Sequence, residues 1–190
     1  MKRLSCFSKR DFGGIIFFSI AAAEIILAVM LLFSGTINRA MLMTGLEIGS
    51  IVLGIGYVMG YYANARSRFR PCWYLPIGFL LAFIGITAIV IGFLNLAGPG
   101  FGLVTLSAGI AVLNFVMCAA VSIQLKALCL MRWIPIMFFA FLNAGYVAIV
   151  YFDLWAIRSK PAVCVAVYCI LLAIQTVSET FYNLNIETNE

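Results

Sequence analysis

The sequence predicts an all-α integral membrane protein: six transmembrane helices forming three parallel helical-hairpin repeats around a pseudo-threefold axis. Three observations lead there. Of the 190 residues, 65% are hydrophobic and only 10% charged, where a soluble domain carries about a quarter charged. The apolar residues gather in stretches of about twenty, each able to cross the roughly 30 Å hydrocarbon core at about 1.5 Å per residue. Finally, the uncharged stretch from Trp73 to Leu94 recurs in part sixty residues on, pairing Trp73 with Trp133, Phe79 with Phe139, Gly85 with Gly145 and Leu94 with Leu154. Ala88-Ile89-Val90 likewise pairs with Ala148-Ile149-Val150, which marks an internal repeat. The first copy is the most diverged.

In chain order, residues 1–12 form a basic tail with Lys2, Arg3, Lys9 and Arg10. Leu4-Ser5-Cys6 has the form of the end of a lipoprotein cleavage box, but no apolar stretch precedes it, so lipidation there is rejected. A single six-helix domain is expected over residues 13–182, with hairpins at 13–62, 73–124 and 134–182. Its first span, Gly13 to Ser34, is too long for a signal-peptide core and is expected to be retained. The second runs from Ala40 to Tyr62 and meets the basic link Arg66-Ser67-Arg68-Phe69-Arg70. Gly98-Pro99-Gly100 separates the third span from the fourth, Phe101 to Gln124. The fifth covers Ile134 to Trp155, and Pro161 opens the sixth at a tolerated first-turn position. Residues 183–190 are a polar, acidic tail.

Hairpins of two spans enter the membrane in one direction, so the repeats are parallel and related by an axis along the membrane normal. With the N-terminus inside, the inside segments carry nine of the twelve Lys and Arg and the outside segments three. The positive-inside rule then puts both termini in the cytoplasm, and a bacterial inner membrane is the expected location. Trp73, Tyr74 and Trp133 are expected at the inner interface, with Tyr151 and Trp155 at the outer one, as aromatic belts. Arg66, Arg68 and Arg70 read first as a topology signal and second as contacts to anionic lipid headgroups. The net charge of +5 does not point to nucleic acid, because the basic residues sit in short runs between spans.

Within the second span, Gly45, Gly49, Gly56 and Gly60 fall within about 60° of one another at 100° per residue, a helix-packing stripe of two GxxxG pairs. It serves either a seam within the chain or the face of a homo-oligomer. Gly54 lies on the opposite side, and substitutions at Gly49 or Gly56 are expected to cost more than one at Gly54. No disulfide framework is expected: Cys6, Cys72 and Cys129 fall in cytoplasmic segments, and Cys164 and Cys169 are about 140° apart on one helix. The candidate intramembrane polar site is Glu24, Glu47, Asn114 and Asn143. Glu24 is at the middle of the first span with no Lys or Arg at its depth. It is expected to be buried, neutral and hydrogen-bonded, with Asn114 or Asn143 as partner, in either a functional or a structural role. Gln175 lies in the sixth span, while Asp153 and Glu179, near helix ends, are expected at the interface.

Gly54 and Gly60 leading into Tyr61-Tyr62-Ala63-Asn64, the basic link, then Trp73 before Gly78-Phe79-Leu80, and the Trp133 repeat, together resemble the HdeD-like family of bacterial inner-membrane proteins. The resemblance covers residues 12–182 and implies six spans, a role in acid resistance, no established catalytic residues and no cofactor. Glu24 departs from the pattern, where a small or apolar residue is expected. The leading expectation is thus a non-enzymatic stress-response membrane protein. The alternative is a small-solute or proton-coupled transporter, or its substrate-binding subunit, with the polar site lining a cavity. An intramembrane enzyme is disfavoured, since the chain has no histidine and offers no nucleophile–base or metal constellation.

Overall fold

Each apolar stretch folds as one helix, because a backbone in lipid must satisfy its polar groups internally. The computed structural model describes residues 9–33, 39–63, 71–93, 102–128, 133–152 and 161–185. They form α1 (Lys9–Leu32), α2 (Arg39–Ala63), α3 (Tyr74–Phe93), α4 (Leu103–Ala127), α5 (Trp133–Tyr151) and α6 (Pro161–Asn185). Five helices, α2 to α6, are long and apolar enough to cross a membrane. The described apolar part of α1, Phe17–Leu32, is shorter. The basic link with Arg66, Arg68 and Arg70, as well as Cys6, Cys129, Asp153 and Trp155, lie outside the described residues.

The side-chain distribution is that of a protein whose solvent is lipid. Phe18, Ile26, Phe79, Phe83, Phe138, Phe141 and Ile174 point outward, while Ser107, Asn114, Ser122, Asn143 and Gln175 are buried. Polar groups face inward because exposing them to hydrocarbon is costly. In α1 the buried residues Phe17, Ile20, Ala21, Glu24, Ala28 and Leu31 fall on one face at helical spacing. Half of the α4 and α6 spans is buried, against 28% of α3 and α5, so α4 and α6 lie inside and α3 and α5 outside.

The closest packing is between α2 and α3, α1 and α6, and α4 and α5. Sequence neighbours within the expected hairpins pack less: α1 with α2 to a moderate extent, α3 with α4 and α5 with α6 only slightly. The reason is visible at the α2–α3 seam. A Cβ at Gly54 would strike the Gly78 carbonyl and come within 2.7 Å of the Ala82 nitrogen, and one at Gly78 would lie 2.6 Å from the Gly54 carbonyl. At Gly85 it would strike Ser50 Oγ and sit 2.6 Å from the Glu47 carbonyl. Here the two backbones touch.

The glycine stripe turns elsewhere. A Cβ at Gly45 or Gly56 would meet α1, at Leu27 Cδ1 (2.9 Å) and Ile20 Cδ1 (2.8 Å), and one at Gly60 would meet Phe17 and Tyr74 at 3.3 Å. At Gly49 it would meet nothing within 4 Å. The expected order of sensitivity is therefore reversed for Gly54: its neighbours are backbone atoms, whereas Gly49 borders open space. Only the position of each neighbouring helix reveals this.

Candidate functional site

Where α2, α4, α5 and α6 meet, five side chains close a ring of hydrogen bonds. Tyr57 hydroxyl donates to Asn114 Oδ1 (2.9 Å). Asn114 Nδ2 donates to the Tyr168 hydroxyl (3.5 Å), which donates to Asn143 Oδ1 (3.2 Å). Asn143 Nδ2 donates to Gln175 Oε1 (2.9 Å), and Gln175 Nε2 returns to the Tyr57 oxygen (3.5 Å). Every bond runs donor to acceptor in the same rotational sense, so each polarises the next. The remaining amide hydrogens of the two asparagines bind helix carbonyls: Asn114 to Ile110 (3.2 Å) and Asn143 to Phe139 (2.9 Å).

Glu179 hangs from this ring. Its Oε1 accepts from Gln175 Nε2 (2.9 Å) and from the Cys118 thiol (4.0 Å), and its Oε2 accepts from the Tyr74 hydroxyl (3.3 Å). Gln175 Nε2 also reaches Cys118 Sγ (3.2 Å). Toward the other end of the bundle, the Tyr146 ring stacks on Tyr168 at 4.3 Å and its hydroxyl meets Ser107 Oγ at 2.8 Å. At the α4–α5 turn, Ser122 Oγ donates to the Trp133 carbonyl (3.1 Å). Polar groups thus run from Ser107 to Glu179 along the interior.

Of the four candidate residues, the structure brings Asn114 and Asn143 together, through Tyr168. Glu24 is buried, with 9% exposure, but its partner is neither Asn: Thr176 Oγ1 donates to its Oε2 at 3.3 Å. Thr176 is the chain neighbour of Gln175, so Glu24 borders the ring from outside. Glu47 stands apart at the α2–α3 seam, with its Oε1 beside Gly92 and its carbonyl accepting from Ser50 Oγ (2.9 Å). None of the clefts on α1/α2, α3/α4 or α4/α5 is lined by more than one of the four.

Two interfacial expectations are corrected. Glu179 is 3% exposed, because α6 continues beyond it to Asn185 and its carboxyl has three donors. Tyr74 is 2% exposed, its ring against Tyr57 at 5.1 Å and its hydroxyl on Glu179, so it belongs to the core rather than the belt. Trp73 and Tyr151 are exposed, and Trp133 carries Lys126 Nζ at 5.3 Å over its ring. Tyr57, Tyr168, Gln175 and Glu179 were absent from the candidate site. One signal was present: Tyr168, Leu172, Gln175 and Glu179, spaced four, three and four, lie on one face of a helix.

Cys72, Cys118, Cys164 and Cys169 form no disulfide, and no metal-binding cluster of His, Cys, Asp or Glu occurs among the described residues. Comparison with protein-family models, curated proteins and solved structures gave no match to this chain.

Proposed function

We propose that this chain is a non-enzymatic, multi-pass protein of the bacterial inner membrane that serves survival under acid stress. The acid-stress part rests on the HdeD-like resemblance. The closed ring is the observation that supports a non-enzymatic core, since its amides and hydroxyls are engaged with one another and with helix carbonyls. Two buried carboxyls beside it, Glu24 and Glu179, are protonatable groups of the kind that mark intramembrane function. The pseudo-threefold repeat belongs to the same reading. A shift of sixty residues carries α2/α3 onto α4/α5, two of the three closest helix pairs, and carries α4 onto α6 and α1 onto α3. Contacts of Arg66, Arg68 and Arg70 with anionic lipid, and self-association of the chain, complete it.

The test is acid challenge of a strain lacking the gene. Survival should fall and be restored by the wild-type chain but not by Gln175→Leu, which opens the ring. Unchanged survival on deletion would remove the acid-stress reading.

A second reading, small-solute or proton-coupled transport, is favoured by the meeting of Asn114 and Asn143 on the bundle interior. Against it, the ring occupies the place of a channel, and side-chain amides do not relay protons as water or hydroxyl chains do. Purified protein in liposomes under a pH gradient separates the two. Dissipation of the gradient that Glu179→Gln abolishes would favour transport.

A further inference from the structure

A cleft of about 310 Å³ lies between α1 and α2, outside the ring. Its rim residues Ile26, Met30, Ile48 and Val52 are partly or largely exposed, so it opens sideways to the bilayer. Its wall is apolar except for Glu24. Gly49 keeps it open: a Cβ there would meet nothing within 4 Å, and α1 packs on α2 less closely than on α6. The volume is at the lower end of small-molecule sites, about 300–1,000 Å³.

We propose that this cleft binds lipophilic organic cations, with Glu24 as their counter-charge. The ligand class follows from the wall. Apolar side chains suit an alkyl or aromatic body, and a lone carboxyl among them suits one positive charge. An acyl chain would make no use of the carboxyl, and an apolar residue would line the cleft better for it. The chain supplies no counter-ion of its own among the described side chains. Lys126 is the one described Lys or Arg side chain, and it lies over Trp133. Thr176 Oγ1, at 3.3 Å from Oε2, anchors the carboxyl from the α6 side. Expected to be neutral on its own, the carboxyl releases its proton and ionises when an ammonium or phosphonium sits beside it, since a buried charge is tolerated only when paired. A quaternary cation needs no hydrogen-bond acceptor, so charge and apolar fit are enough.

The inference rests on the cleft and goes beyond the acid-stress reading, whose failure would leave it standing. It is tested by equilibrium binding of tetraphenylphosphonium to the full chain in zwitterionic nanodiscs, with tetraphenylborate as an anion of the same shape and empty nanodiscs as the background. The wild-type chain should bind the phosphonium saturably at one site, at least about tenfold more tightly than the borate. Glu24→Gln should weaken binding by about tenfold or more. Gly49→Phe, which fills the cleft and leaves Glu24 in place, should do the same with unchanged thermal unfolding, and it decides the matter should Glu24→Gln fail to fold. Binding no greater than to empty nanodiscs would overturn the proposal. Equal binding of phosphonium and borate would do so as well, as would full affinity in Gly49→Phe.

Discussion

Gln175 joins four side chains of the core: its oxygen accepts from Asn143, and its nitrogen reaches Tyr57, Cys118 and Glu179. Tyr168 contributes one hydroxyl between two amides. The two positions therefore differ in what a substitution strands. Tyr168→Phe leaves an Asn114 N–H and the Asn143 Oδ1 without that partner, but the two bonds it removes are long (3.5 and 3.2 Å), whereas Gln175 makes two bonds of 2.9 Å, to Asn143 and Glu179. Tyr168→Phe should cost about 0.6–1.5 kcal/mol, the scale of one hydrogen bond in a membrane or a protein core. Gln175→Leu leaves an Asn143 N–H unpaired and takes a donor from Glu179, and it should cost about 1–3 kcal/mol. Thermal unfolding in detergent checks the order, and an equal effect of both would mean the ring does not act as a unit. Asn114 and Asn143 were legible in the sequence because amides in apolar helices need partners. Tyr57 and Tyr168 were not, because a tyrosine serves equally well at an interface or in a core until its hydroxyl's surroundings are known. Glu179 was misplaced because its distance from the chain end says nothing about how far α6 extends.

At the scale of helices, the α2–α3 seam is set by contact of two backbones, and the α1–α2 seam by side chains against glycines. Backbone cannot yield at one atom, whereas Leu27 Cδ1 or Ile20 Cδ1 can rotate aside. Gly54→Ala should thus force α2 and α3 apart at Gly78 and Ala82 and cost about 1–3 kcal/mol, the usual range for overpacking. Gly56→Ala, facing Ile20, should cost less, and Gly49→Ala should be neutral or slightly stabilising, because Ala is the better helix former. Thermal unfolding of the three variants checks the ranking, and Gly49→Ala falling as far as Gly54→Ala would show that the seam does not set the packing. The glycine spacing revealed a stripe and its direction around α2. It did not reveal which helix lay opposite, since that depends on α3 presenting Gly78, Ala82 and Gly85 along one face. The helices themselves were plain in the sequence, because lipid imposes long, unbroken apolar runs. The pairing of α1 with α6 joins the two ends of the chain and leaves no local mark.

For the whole molecule, the number of crossings fixes where the termini lie, and α1 decides that number. Its described apolar part is shorter than the other five spans, and a chain with five crossings would put its ends on opposite sides of the membrane. Three properties argue that α1 crosses. Its 24 residues reach about 36 Å at 1.5 Å per residue, enough for the roughly 30 Å core. Its outward side chains, Phe18, Ile25, Ile26 and Val29, are exposed and apolar, as a lipid-facing surface requires. It also packs closely on α6, with Glu24 held by Thr176 well inside both helices. Six crossings, with the excess of Lys and Arg on one side, carry the proposal that both ends are cytoplasmic. Paired reporters fused separately to each end should both be active in the cytoplasmic form and silent in the periplasmic form. A periplasmic N-terminus with a cytoplasmic C-terminus would mean that α1 does not cross, and both ends periplasmic would mean that the basic residues do not set the orientation.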